Sequence, residues 1–212
     1  MFFSFDGIDG TGKSTQVDLF AQYVRASGHD VLTCRDPGGT LLGERLRDIL
    51  LHKAEIPLGS RAEMLLYMAS RAQLVHEVIK PALKQGSVVI CDRFLLANVV
   101  YQGHAGGLPV AELWQVGQIA TAGIQPDLTF VLDMPVDVAA RRITGQLDRM
   151  ESRGLDYMDR VRRGFLVEAA RRDDVVTIDA DREIAQIQHQ IQTTVEERWP
   201  QAFAAQYQEG GG

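Results

Sequence analysis

Gly7-Ile8-Asp9-Gly10-Thr11-Gly12-Lys13-Ser14 decides the reading of this chain. The eight residues fit G-x-x-x-x-G-K-[ST], a loop that cradles phosphate. Glycines let the backbone turn its N–H groups inward with no side chain in the way. Lys13 supplies a cation for the outer phosphates of a nucleotide, and the Ser14 hydroxyl is a ligand for Mg²⁺. A helix beginning here would point its positive end at the same anion. Phe2–Phe5 reads as a short buried strand and Gln16–Ser27 as a helix, so the loop sits in the strand–loop–helix setting the chemistry needs. A glycine-rich turn with no ligand is the bland alternative. The phosphate contacts expected are Gly7, Ile8, Asp9, Gly10, Thr11, Gly12, Lys13, Ser14 and Thr15.

Outward from the loop, short apolar strands alternate with amphipathic helices. The strands are Phe2–Phe5, Val31–Arg35, Ser87–Cys91, Leu128–Asp133 and Val175–Ile178, continuous and β-branched as in a sheet covered on both faces. The helices are Leu42–Leu51, a long one from Ser60, Val110–Ala122, Val136–Ile143, Tyr157–Arg171 and Glu183–Trp199. Ser60 with Glu63 reads as a capping box. Met64, Met68, Val75, Val78 and Ile79 hold one face of that helix, and Pro81 should end or kink it. Ile184, Ile187, Ile191 and Val195 form a stripe on the last helix, which Pro200 stops. The fold expected is α/β: three layers, with a parallel sheet of about five strands between helices. One domain spans 1–200, and 201–212 reads as a frayed tail.

In such sheets ligands bind beyond the carboxyl ends of the strands. The residues there are polar: Gly7–Ser14, Arg35–Thr40, Asp92-Arg93, Asp133 and Asp179–Asp181. Asp92 stands where a phosphate-loop protein needs a carboxylate to organise Mg²⁺, so Ser14 and Asp92 are the expected metal contacts. Arg93 offers a planar fork for phosphate. A strand-end ion pair is the structural alternative for these two.

Composition bounds the function. The 212 residues carry a net charge of −6 and are 45% hydrophobic. That balance argues against a general nucleic-acid or anionic-membrane binder. Seven arginines nevertheless lie between Arg141 and Arg163. They suit a local polyphosphate site or, equally, a solvated helical face. Cys34 and Cys91 end strands without zinc-type spacing and read as small buried side chains, and the five histidines are scattered. No run approaches a membrane span and no signal peptide is evident, so a soluble cytoplasmic protein is expected.

Several motifs stand in order: FDGIDGTGKST at 5–15, RDPGGT at 35–40, LLYMASRAQ at 65–73, DRF at 92–94, NVVYQG at 98–103, PDLTFVLD at 126–133 and LDRME at 147–151. Together they resemble the bacterial thymidylate kinase family over nearly the whole chain. The resemblance implies transfer of the γ-phosphoryl of ATP to dTMP, giving dTDP for dTTP synthesis, with Mg²⁺ and as a homodimer. It gives Asp9 the acceptor sugar's 3′-hydroxyl. Tyr67 would stack on thymine and Arg71 reach its O4, although Tyr67 alone reads as a core aromatic. Asn98 would read the pyrimidine edge with Gln102 near it, and Tyr101 would crowd the 2′ position. Asp36, Pro37 and Arg47 would form the acceptor wall, Asp36 next to the metal and Arg47 near the acceptor phosphate. Catalysis would fall to Lys13, Asp92, Arg93 and an arginine of a mobile lid near 141–156, Arg149 before Arg142.

The chain departs from the family pattern in places. Asp36 replaces the usual glutamate, and the shorter carboxylate is expected to act through a water. Phe94 and Phe165 stand where a ring with a polar tip is commoner, and Thr144-Gly145-Gln146 fills a lid stretch where another arginine is common. The rival readings are another nucleotide kinase and a nucleotide-dependent switch. A guanine-reading N-K-x-D segment does not occur.

Overall fold

The computed structural model describes residues 1–51, 57–143, 149–150 and 153–203. Five parallel strands, β1 Phe2–Asp6, β2 Val31–Arg35, β3 Val88–Asp92, β4 Leu128–Asp133 and β5 Val175–Asp179, form one sheet in the order β2-β3-β1-β4-β5. The expected strands are all present, with ends within a residue of those read from sequence. β1 is central and wholly buried. Its side chains alternate between faces. Phe3 and Phe5 pack with Phe20, Val24, Phe130 and Ile191 on one side, and Phe2 packs with Met68, Leu74 and Phe94 on the other. The sheet is therefore the middle of three layers.

The helices are α1 Lys13–Ala26, α2 Leu41–Leu51, α3 Ser60–Leu74, α4 Lys80–Lys84, α5 Leu95–Asn98, α6 Val110–Ala120, α7 Val136–Arg142, α8 Leu155–Ala169, α9 Ile184–Arg198 and α10 Pro200–Phe203. α3 runs into α4 through a π-helical turn, Val75–Ile79, just ahead of Pro81. The proline lacks an N–H for the α-helical ladder, and a widened turn accommodates that break.

Five sequence expectations need correction. α1 begins at Lys13, three residues early, because Gly12 in a left-handed conformation (φ 86°) ends the loop and starts the helix. Gly59, not Ser60, precedes the first turn of α3, and no side chain caps it. Glu63 is buried instead and bonds elsewhere. Ile184, the first residue of α9, is exposed while Ile187, Ile191 and Val195 are buried. The segment read as a tail from 201 starts with the ordered turn α10, and Phe203 packs on Phe3, Tyr23 and His29. Residues 204–212, and residues 144–148 and 151–152 of the expected lid, lie outside the described residues. Cys91 is fully buried as expected, but Cys34 on the edge strand is only half-buried.

One helical segment is unmarked in the sequence. After Arg93 the chain forms α5 and a second π-helical turn, Val99–His104, with most side chains buried. Leu95-Leu96-Ala97 and Val99-Val100 are apolar on every side, so the segment lacks amphipathic periodicity. It carries Asn98, Tyr101 and Gln102 into the interior.

Candidate active site

β1, β3 and β2 end side by side: Phe5 pairs with Asp92, and Asp92 with Arg35. The phosphate loop, Arg93 and Asp36 therefore share one rim. Two glycines of the loop are required by packing as well as by torsion. A Cβ at Gly7 would lie 2.4 Å from Leu132 O, and one at Gly10 would lie 2.3 Å from Ala139 O. The loop is thus pressed onto β4 and α7.

A cavity of about 370 Å³ opens over this loop, lined by Gly10, Gly12, Lys13, Ser14, Thr15, Asp92 and Arg93 among others. Lys13 Nζ donates to Ile8 O at 2.9 Å and Asp9 Oδ1 at 3.2 Å. Arg93, in a left-handed conformation (φ 68°), donates to Gly7 O at 2.8 Å and to Asp9 Oδ1 at 2.6 Å. The two cations explain a carboxylate inside a phosphate loop. Burial alone would raise the Asp9 pKa, but Arg93 and Lys13 hold it well below the usual carboxylate range. Burial and Arg93 push Lys13 down, opposed by Asp9 and Asp92. Burial works against the Arg93 charge too, yet Asp9 and Asp92 among its neighbours raise its pKa.

Ser14 Oγ donates to Asp92 Oδ2 at 3.1 Å on the open side of the cavity. A hydroxyl and a carboxylate are hard oxygen donors, the set Mg²⁺ takes when phosphates and waters complete its shell. Among the described residues no cluster of three or more His, Cys, Asp or Glu could enclose a metal alone.

A second, narrower cavity of about 100 Å³ adjoins the first. Asp9, Asp36, Pro37, Arg47, Tyr67, Arg71, Arg93, Asn98, Tyr101 and Gln102 line it, every acceptor-side residue expected from sequence, together with Leu51, Ala97 and Met150. Asp9, Asp36, Arg47 and Arg93 line both cavities. Arg47 donates to Pro37 O at 2.8 Å. Asp36, expected to act through a water, is 3% exposed and takes a hydrogen bond from Arg71 Nε at 2.6 Å. Burial pushes its carboxyl up while Arg71 opposes.

Arg71 is more committed than the sequence suggests. Besides Asp36 it donates to Asn98 Oδ1, Met68 Sδ and Phe94 O. A guanidinium has five N–H groups, so about one remains for a ligand. Phe94, lacking a polar tip, lies under that guanidinium, 5.6 Å from its ring centroid. Asp36 Oδ1 and Tyr101 Oη are buried without a hydrogen-bond partner among the described residues. Buried polar atoms in a native fold are normally paired, and both belong to residues that line this cavity.

Neither lid arginine lines the phosphate cavity. Arg142 donates to Ala180 O at 3.4 Å and Asp181 Oδ1 at 3.2 Å, beyond β5. Arg149 donates to Leu58 O at 3.4 Å and lies 3.5 Å from Glu63, next to Met150 on the acceptor cavity. The bidentate pair of Arg162 with Asp133, 2.7 and 2.8 Å, was not legible from sequence, because the partners lie 29 residues apart with no shared motif.

The phosphate loop, the cations Lys13 and Arg93 on Asp9, and an adjoining polar cavity thus occur at one end of the sheet. The family model for thymidylate kinase matches residues 5–191. The chain belongs to the thymidylate kinase family. Thymidylate kinase of Kosmotoga olearia is 45% identical over 195 residues, covering 90% of this chain and 93% of that protein. The one from Rhodopirellula baltica is 48% identical over 163 residues, 77% of this chain and 66% of that protein. A crystal structure of thymidylate kinase from Ehrlichia chaffeensis superposes with a TM-score of 0.77 at 30% identity, covering 92% and 98% of the two chains. Family members thus resemble this chain across both cavities. Among the described residues no helix is long and apolar enough to cross a membrane.

Proposed function

We infer that the chain transfers the γ-phosphoryl of ATP to dTMP, giving dTDP and ADP. The observation that carries this reading is the shared wall. Asp9, Asp36, Arg47 and Arg93 separate a phosphate cradle from a narrow polar cavity sized for part of one small acceptor. An acceptor phosphate beside Arg47 and Arg93 faces the nucleotide phosphates across that wall. A phosphomonoester loses its second proton near a pKa of about 6, so its oxygen needs no strong base at neutral pH. Positioning and charge neutralisation remain. Lys13 and Arg93 supply fixed cations. Ser14 and Asp92 would hold Mg²⁺, which when bound neutralises phosphate charge.

In the acceptor cavity Tyr67 and Tyr101 provide ring faces. Arg71 has a donor for thymine O4, and Asn98 Oδ1 has a lone pair for the N3 proton. Cytosine reverses both groups, so it would leave Arg71 and Asn98 unsatisfied. We place the lid arginine at Arg149, because it stands next to Met150 at the acceptor cavity, whereas Arg142 lies beyond β5 on Ala180 and Asp181. Exposed Leu65 on α3 and Ile119 on α6 supply apolar surface for a homodimer, which light scattering would test.

ADP release measured with dTMP, dUMP, dCMP, UMP and AMP tests the reaction. A best acceptor of AMP, CMP or UMP type, or release indifferent to acceptor, overturns it. Arg149→Ala should lower kcat and kcat/KM together, the mark of an interaction made at the transition state. If Arg142→Ala proves the more damaging, the arginine assignment is wrong and the reaction stands.

A further inference from the structure

We propose that Glu63 is a positioning residue for recognition of the acceptor base, acting from outside the cavity through Gln102 and Asn98; this rests on the reading that the cavity takes thymidylate. Glu63 is not among the residues that line the cavity. A chain of hydrogen bonds nevertheless ends on it. Arg71 Nη1 donates to Asn98 Oδ1 at 3.0 Å, Asn98 Nδ2 to Gln102 Oε1 at 2.6 Å, and Gln102 Nε2 to Glu63 Oε1 at 3.0 Å. None of the four residues is more than 3% exposed.

The direction of this chain is dictated by its ends. A guanidinium only donates and a carboxylate only accepts, whereas an amide does both. Asn98 must therefore turn its oxygen to Arg71 and its NH₂ to Gln102. Gln102 must turn its oxygen to Asn98 and its NH₂ to Glu63. Turning either amide over sets donor against donor and leaves a buried acceptor unmet. Arg71 sets the pattern from one end. Glu63 locks it from the other, and so holds the lone pair of Asn98 where an N3 proton needs it.

A buried carboxylate needs a charge partner, and Glu63 has one. Arg153 Nη2 lies 2.6 Å from its Oε2, with Arg149 at 3.5 Å. Arg153 also donates to Tyr157 Oη at 3.1 Å, and Tyr157 donates to Tyr101 O at 2.7 Å. The same ion pair thus braces the backbone one residue before Gln102.

Steady-state kinetics test the role. Glu63→Leu should raise the KM for dTMP roughly tenfold and leave the KM for ATP unchanged. Glu63→Gln, which keeps an acceptor oxygen for Gln102 but turns an NH₂ toward Arg153, should recover part of that loss. In a Gln102→Leu background, Glu63→Leu should add about twofold or less, because its path to the base is already cut. An equal effect in both backgrounds, a parallel rise in the KM for ATP, or no recovery by glutamine overturns the proposal. Should Glu63→Leu not fold, the Gln102 side-chain NH₂ of the wild type carries the test by NMR. Its protons should exchange about tenfold or more slower than those of an exposed glutamine, and exchange at the exposed rate overturns the proposal. A wild type preferring another acceptor over dTMP overturns the substrate reading and the proposal with it. A wild type preferring dTMP with no effect of Glu63 overturns the proposal alone.

Discussion

The phosphate cavity and the acceptor cavity share a wall but are built by opposite means. The first is backbone, glycine and fixed cations, nearly all from one contiguous loop and two neighbouring strand ends. The second is side chains from α2, α3 and the α5 segment, brought together across wide gaps in sequence and held by a buried polar network. Phosphate is the same in every nucleotide, so a rigid local cradle suffices. A base must be told from its neighbours, and discrimination comes from buried groups that are satisfied by one ligand only.

That contrast predicts separable defects. Lys13→Ala should lower kcat by roughly 10²–10³ for every acceptor alike, since a preorganised charge is lost at the phosphates. Near-normal kcat in a folded variant, or a loss that depends on the acceptor base, would break the division between the two ends.

Asp6, at the end of β1 beneath the loop, tests rigidity in another way. Burial raises its pKa from 3.8 to about 7, opposed by Arg93, Ser4 and Lys13. The folded state therefore keeps a proton that the unfolded state has already lost between those values. Its contribution to stability is full below the lower value, falls as pH rises, and is gone above about 7. Asp6→Asn should remove about 2 kcal/mol of destabilisation that the wild type acquires between pH 5 and pH 7. Denaturant unfolding of both proteins at the two pH values checks this, and parallel curves would refute it.

Asn98→Ala should cost roughly tenfold in the dTMP to dCMP ratio of kcat/KM, with the KM for ATP unmoved. A fall in kcat/KM that is equal for both bases would show that Asn98 shapes the cavity without reading the edge. The smallest effect belongs to Arg142→Ala. Its contacts to Ala180 and Asp181 are half-exposed, so kcat and the KM for ATP are expected to change by about twofold or less, checked by varying ATP at saturating dTMP.

The same contrast governs what was legible in the sequence. The phosphate loop, the strands and the sheet were readable because their signals are local: spacing, glycine placement and short apolar runs. The acceptor residues were named through resemblance, and Tyr67 alone reads as core. Periodicity failed at Leu95–Gly103, where polar and apolar side chains alike are buried, so no exposed face marks the helix. Glu63 has the spacing of a capping box, and burial gave it a different partner. Its true role depends on Gln102, 39 residues away, and no pattern in one sequence carries that distance.

Strand order has a consequence for how the enzyme fails. β1 is hydrogen-bonded on both sides, whereas β2 is an edge strand with half-exposed residues. Native-state openings begin where protection is least. The cradle hangs from the last strand to open, and the acceptor wall at Asp36 and Pro37 hangs from one of the first. Warmed gradually, the protein should forget its acceptor while it still grips its nucleotide.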